Sequence, residues 1–148
     1  MNKTSLFLLG CLLGSACSGN RTEGTEEKEG AGASTTCYTY TTDNDSIMLQ
    51  LTRRGNAVEG ALTYVLREKD MNTGTIKGVM EGDTLFADYT FSSEGITSVR
   101  EVAFVKRGDD LVEAFGEVEE QDGKFVFTDP SLLSLNENVV LQASPCGD

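Results

Sequence analysis

Three dipeptides, Gly55-Asn56, Gly82-Asp83 and Gly108-Asp109, each interrupt a run of alternating apolar and polar residues. Glycine followed by Asn or Asp suits the positive φ of a two-residue hairpin turn, and a period of two is that of a half-buried strand. Fixing the turn fixes the register, because a slip of one residue would turn every core side chain to solvent. Around Gly55-Asn56, Ile47, Leu49 and Leu51 then face Tyr64, Leu62 and Gly60, while Met48, Gln50 and Thr52 oppose Thr63, Ala61 and Glu59 on a wet face. Around Gly82-Asp83, Ile76, Gly78 and Met80 face Tyr89, Ala87 and Leu85, and Lys77 meets Asp88 on the outside, a charge match that supports the register.

The third pair has two apolar faces. Val99, Ala103 and Val105 oppose Val118, Ala114 and Val112, with Glu101 intruding, and the other face carries Val102, Phe104, Leu111 and Phe115. A strand pair buried on both sides is covered by the C-terminal turn, lines a cavity, or meets a partner protein. Phe104 and Phe115 are the candidates for partner contact.

Gly60 and Gly78 fall at inward mid-strand positions, where glycine marks a bend or a close backbone approach. They suit a sheet that curls toward closure. Further strands are expected near 38–41, 124–127 and 139–141, and Asp129-Pro130 opens a short helical turn, with Asp as its cap and Pro at its first position. The count predicts an all-β domain, a single antiparallel barrel of eight to nine strands and lipocalin-like size, with a β-sandwich as the alternative.

The N-terminus carries the address. Lys3, the apolar run Leu6–Leu13 and the small residues Gly14-Ser15-Ala16 precede Cys17, the order of a secretion signal with an apolar stretch too short to span a bilayer. This segment resembles the lipoproteins of Gram-negative bacteria, in which a Cys after a small-residue box becomes the acylated first residue. The resemblance implies a signal peptide over 1–16, lipid on Cys17, and an envelope location, in the outer membrane at its periplasmic face or on the cell surface. It departs from the usual box at Gly14, where Leu is preferred. Leu8-Leu9-Gly10-Cys11 fits the box better but leaves a very short apolar run, so Cys17 is favoured over Cys11. With those two assigned, Cys37 and Cys146 remain, and in an oxidising compartment they are expected to form a disulfide.

Residues 17–36 are rich in Gly, Glu, Ser and Thr, and from Ser18 on they lack any aromatic or branched aliphatic side chain. They are expected to be a disordered tether with a reach of about 25 Å, leaving 37–148 as the barrel domain. The chain's net charge is −12, and losing Lys3 with the signal makes the mature chain more acidic still. Nucleic acid is therefore not an expected partner, and the lipid must do any membrane holding. The barrel part is loosely similar to small lipocalin-like barrels of bacterial lipoproteins. It lacks the Gly-x-Trp of true lipocalins and contains no Trp at all, so no ligand residue is carried over.

The chain has no His, which removes Ser-His and Cys-His nucleophiles and ordinary zinc sites. Glu94, Glu101, Glu113 and Glu117 could pair for acid/base work, but carboxylates in so acidic a chain are usually solvated, and no enzyme, cofactor or metal is expected. Asp43-Asn44-Asp45 and Asp70-Met71-Asn72-Thr73-Gly74 are too short for a calcium loop and read better as turns. The most unusual stretch is Tyr89–Glu101, with two aromatics, a Ser-Ser-Glu-Gly connection and an Arg-Glu pair. One reading makes it a ligand site at the barrel mouth built from Tyr64, Tyr89, Glu94 and Arg100, with Phe91 as apolar wall. Another makes it a plain loop, with Arg100 paired across the ladder to Glu117. The functional expectation is a non-enzymatic, lipid-anchored barrel that binds a small molecule or peptide. The alternative is a protein–protein module, such as an envelope assembly factor or an inhibitor of an external enzyme.

Overall fold

The computed structural model describes residues 32–147 apart from positions 68 and 70. The expected signal peptide, Cys11, Cys17 and residues 17–31 of the expected tether lie outside the described residues. Among the described residues ten strands form: β1 (Ser34–Thr41), β2 (Ser46–Arg54), β3 (Ala57–Val65), β4 (Asn72–Glu81), β5 (Thr84–Ser93), β6 (Ile96–Arg107), β7 (Asp110–Phe115), β8 (Val118–Gln121), β9 (Lys124–Phe127) and β10 (Ser134–Ser144). Between β9 and β10, Pro130–Leu132 make the expected short turn, with the Asp129 carboxylate accepting from the Ser131 N–H at 2.9 Å. Ser34, Thr35 and Thr36 pair with β2 rather than trailing as tether.

The turn chemistry sets the registers. Gly55, Gly82 and Gly108 take φ of 62°, 60° and 62°, as the first position of a type II′ turn requires. Ile47 faces Tyr64 and Leu51 faces Gly60; Ile76 faces Tyr89 and Met80 faces Leu85; Val105 faces Val112 and Ala103 faces Ala114. The antiparallel pairing continues through β5–β6, β6–β7, β7–β10 and β10–β1. Eight strands therefore close into an antiparallel barrel, with β8 and β9 outside it, and the sandwich alternative is set aside.

The inward rows fill the barrel. Ile47, Leu49, Leu62, Ile76, Leu85, Phe104, Leu111 and Leu141 are all buried in one cluster, each worth roughly 1.5–3 kcal/mol on removal from water. Closure needs close backbone approach, and Gly78 supplies it: a Cβ there would collide with the Phe86 carbonyl and come within 2.7 Å of the Ala87 Cβ. Where the first and last strands of the barrel meet, β1 and β10 pair only at Cys37–Ser144, Tyr38–Ala143 and Thr39–Gln142. The Cys37–Cys146 disulfide staples this seam, with Cα atoms 5.1 Å apart.

The third hairpin departs from its predicted course. β7 ends at Phe115, so Val118 never reaches Val99, whose neighbour is Lys124 of β9, running parallel. Gly116 lies at the exit, where a Cβ would come within 2.7 Å of Leu133 Cδ2. Of its two apolar faces, the one with Val102, Phe104 and Leu111 points into the barrel. Ala103, Val105 and Ala114 lie outside and are packed by Phe127, Leu133 and Leu135. Phe104 is 0% exposed, which corrects its reading as a partner contact: its side chain is spent on the core.

Candidate functional site

The early exit of β7 leaves β6 without its neighbour from Ile96 to Val102, and β9 fills that place only at Val99 and Arg100. The wall parts there. The result is an open cleft of about 410 Å³, lined by Phe91, Ser98, Arg100, Glu101, Val102, Glu113, Ala114, Phe115, Gly116, Val118, Phe125 and Phe127. It joins the end of the barrel interior to the inner side of the β8–β9 hairpin. Phe115, Val118 and Phe125, which rim it, are 55%, 50% and 45% exposed.

Arg100 occupies the floor. An inward position on β6 places its guanidinium carbon 5.3 Å from the centre of the Tyr64 ring, 5.6 Å from that of Tyr89 and 5.5 Å from that of Phe91. The rings are themselves packed, Tyr89 stacked on Phe91 at 4.8 Å and edge-on to Tyr64 at 5.8 Å. Ring faces stabilise a cation by roughly 0.5–2 kcal/mol, more as water is excluded. Among the described residues the ion pairs are Arg54–Glu59, Arg107–Glu137, and Lys124 with Asp88 and Glu101; Arg100 joins none, and its buried Nε has no hydrogen-bond acceptor.

Glu113 stands beside it, inward between Leu111 and Phe115 on β7. Its carboxylate accepts from the Tyr64 hydroxyl at 2.6 Å. Burial raises the Glu113 carboxyl above its ordinary value, against the Tyr64 hydrogen bond and the Arg100 charge, which both favour ionisation. Burial, then the charge and hydrogen bond of Glu113, holds the Tyr64 phenol well above its ordinary value. Tyr89 is pushed up to about 12 by burial, with Arg100 opposing, and its hydroxyl donates to the Asn72 carbonyl at 2.9 Å. Both phenols are therefore neutral donors at ordinary pH.

The outer side of the cleft is latched by Glu101. One of its carboxylate oxygens accepts from the Phe127 N–H at 2.8 Å, and the other lies 3.5 Å from Lys124 Nζ. Lys124 also pairs with Asp88. Asp88 is the register partner of Lys77 as expected, but its carboxylate is engaged by β9.

Of the four residues expected to form the ligand site, Tyr64, Tyr89 and Arg100 pack together, but only Arg100 is among the residues that line the cleft; Tyr64 and Tyr89 are buried in the core beneath it. Glu94 is not among the residues that line the cleft: with φ of 50° it is the first residue of a two-residue turn with Gly95, and it is exposed. The expected Ser-Ser-Glu-Gly loop is thus a fourth tight hairpin. The cross-ladder pairing of Arg100 with Glu117 does not form, because Arg100 points inward and its neighbour on β9 is Phe125. Phe115, an expected partner contact, is at the cleft rim. Glu113 as a companion of Arg100 was missed, although a charge at an inward register position is a readable signal. The role of Phe125 and Val118 was not readable, since it depends on β9 running parallel to β6. Asp45, weighed as a calcium ligand, accepts from the Arg67 N–H at 2.7 Å; Asp70 lies outside the described residues.

Comparison with protein-family models, with curated proteins and with solved structures finds no match.

Proposed function

We propose that this protein is a lipid-anchored envelope lipoprotein whose barrel is a non-enzymatic receptor for a small molecule or peptide, bound in the cleft beside β6. The observation that carries the reading is the combination, in one open cleft, of apolar walls with a polar floor of Arg100 and Glu113. Its volume falls in the range of small-molecule sites, which are mostly apolar with few convergent polar groups. Chain direction supports it too. β1 starts at the barrel end that holds the Gly55-Asn56 turn, whereas Phe91, Ser98 and Arg100 lie toward the opposite end, near the Glu94-Gly95 turn. A lipid on Cys17 would then be tethered to the barrel end opposite the cleft.

The exposed Phe115, Val118 and Phe125 favour one competing reading, a protein partner seated on the rim. Native mass spectrometry separates the two. The full-length protein, extracted in mild detergent from the envelope of the cells that make it, is expected to carry a non-covalent adduct that denaturation releases. The Phe115→Ser, Phe125→Ser protein should lose it. A bare wild-type protein would overturn the small-ligand reading and leave the rim as a partner surface, to be sought by crosslinking in intact cells.

A further inference from the structure

The charge balance of the cleft selects among ligands. We propose that it takes a ligand bearing one free carboxylate beside an apolar body, seated on the Arg100 guanidinium, and that Glu113 gains a proton from solvent as this ligand docks. The inference rests on the reading that the cleft holds a ligand.

Arg100 is the only cationic residue among those that line the cleft. The aromatic faces are already occupied by its own guanidinium, so a cationic ligand would meet a like charge where it would otherwise be caged. Arg100 forms no direct ion pair among the described residues, its charge reaching Glu113 without a salt bridge, and its buried Nε has no acceptor. A dianion such as a phosphate monoester would bring two charges to a lining that already carries Glu113 and Glu101 and a single cation, Arg100, and like charges repel. A monocarboxylate needs only one carboxyl to give way.

Glu113 is the group placed to do so. Around it stand Tyr64 from β3 and Arg100 from β6. Glu101, on the outer side of β6, is committed to the Phe127 N–H and Lys124. Glu137, in the irregular stretch of β10 across from β7, is committed to Arg107 in a two-pronged pair at 2.6 and 2.7 Å. Burial already favours the protonated form of Glu113, and a second carboxylate on Arg100 would both compete for that cation and repel the Glu113 charge. Two carboxyls sharing one site titrate with one of them held protonated.

The probes are phenylbutyrate and an acetylated Phe-Leu dipeptide with a free carboxyl end, which distinguish an acyl-type ligand from a peptide terminus. Their amides serve as controls. Calorimetric titration of the full chain in mild detergent, in two buffers of different ionisation enthalpy, counts protons. At least one of the two carboxylates should bind near pH 7 with uptake approaching one proton, and affinity should rise as pH falls from 8 to 6, by up to about tenfold per unit. Arg100→Gln should weaken binding tenfold or more. Glu113→Gln should take up no proton and lose the pH dependence. Equal binding of the amides, no proton uptake by wild type, or uptake undiminished in Glu113→Gln would each overturn the proposal. Equal binding of the amides would still leave the cleft a ligand site. Failure of every probe, beside an envelope-derived adduct in native spectra, would reject the carboxylate alone.

Discussion

Between β2 and β6 each strand pairs with the next over eight or more consecutive positions without a register shift. On the other side of the barrel the ladder is broken: β6 changes partner from β7 to β9, and β10 shifts register against β7 between Leu135 and Val140. The even arc packs inward rows that are mainly apolar, with Arg100 entering only on β6 at its margin. The broken arc leaves a gap in which Arg100 and Glu113 lie between core and cleft, where desolvation is incomplete and a buried charge costs less than it would at Leu62 or Phe104. Irregular pairing is what lets an otherwise filled barrel hold polar groups.

The largest expected effect is at the seam that joins the two arcs. Only three residue pairs link β1 to β10, and the Cys37–Cys146 bond closes a loop with a sequence separation of 109. Replacing both cysteines by Ser should lower unfolding free energy by about 4–5 kcal/mol on the chain-entropy account, measured by urea denaturation. A loss under about 1 kcal/mol would mean that the ladder alone holds the seam.

A smaller effect is expected at the latch. Glu101→Ala removes the acceptor of the Phe127 N–H and one of the two carboxylates on Lys124. The cost should be about 1–2 kcal/mol, that of a partly exposed charged hydrogen bond. Its distribution is the sharper test. Amide exchange should quicken throughout β8 and β9 while β2–β5 keep their protection. If protection fell evenly over all ten strands, the two arcs would be one cooperative unit and the distinction drawn above would fail.

The same division runs through what residue patterns reveal. Gly55-Asn56 and Gly82-Asp83 set registers that local chemistry decides, so the faces of Leu49, Leu62, Ile76 and Leu85 were legible before any coordinates. Gly108-Asp109 was equally legible as far as Ala103 and Ala114. Beyond that point the chain's course depends on Gly116, on the close approach of Leu133 and on a parallel contact between strands far apart in sequence, none of which has a local signature. Tyr64, Tyr89 and Arg100 were legible as a cluster because inward alternation converges on one barrel end. The place of Glu94 in a tight turn was not legible, because a polar Glu-Gly connection suits a loop as well and a non-glycine residue at positive φ is uncommon.

The smallest effect bears on the polar floor itself. The folded state raises the Glu113 carboxyl above its ordinary value, chiefly by burial, whereas the unfolded chain restores it. A folded-state value above the unfolded one means that the native protein holds the proton more tightly, so the contribution to stability is full below the ordinary glutamate range and is lost as pH rises through the folded value. Tyr64 stays neutral throughout this window and adds no slope. Glu113→Gln keeps an acceptor for the Tyr64 hydroxyl but cannot titrate, and every other carboxylate cancels in the difference between the two proteins. Urea midpoints at pH 7 and pH 5 should therefore show wild type gaining on the variant as pH is lowered. A gap that stays constant, or moves the other way, would mean that Arg100 outweighs burial at Glu113, and that the broken arc holds a conventional ion pair rather than a cation left free to receive an anion.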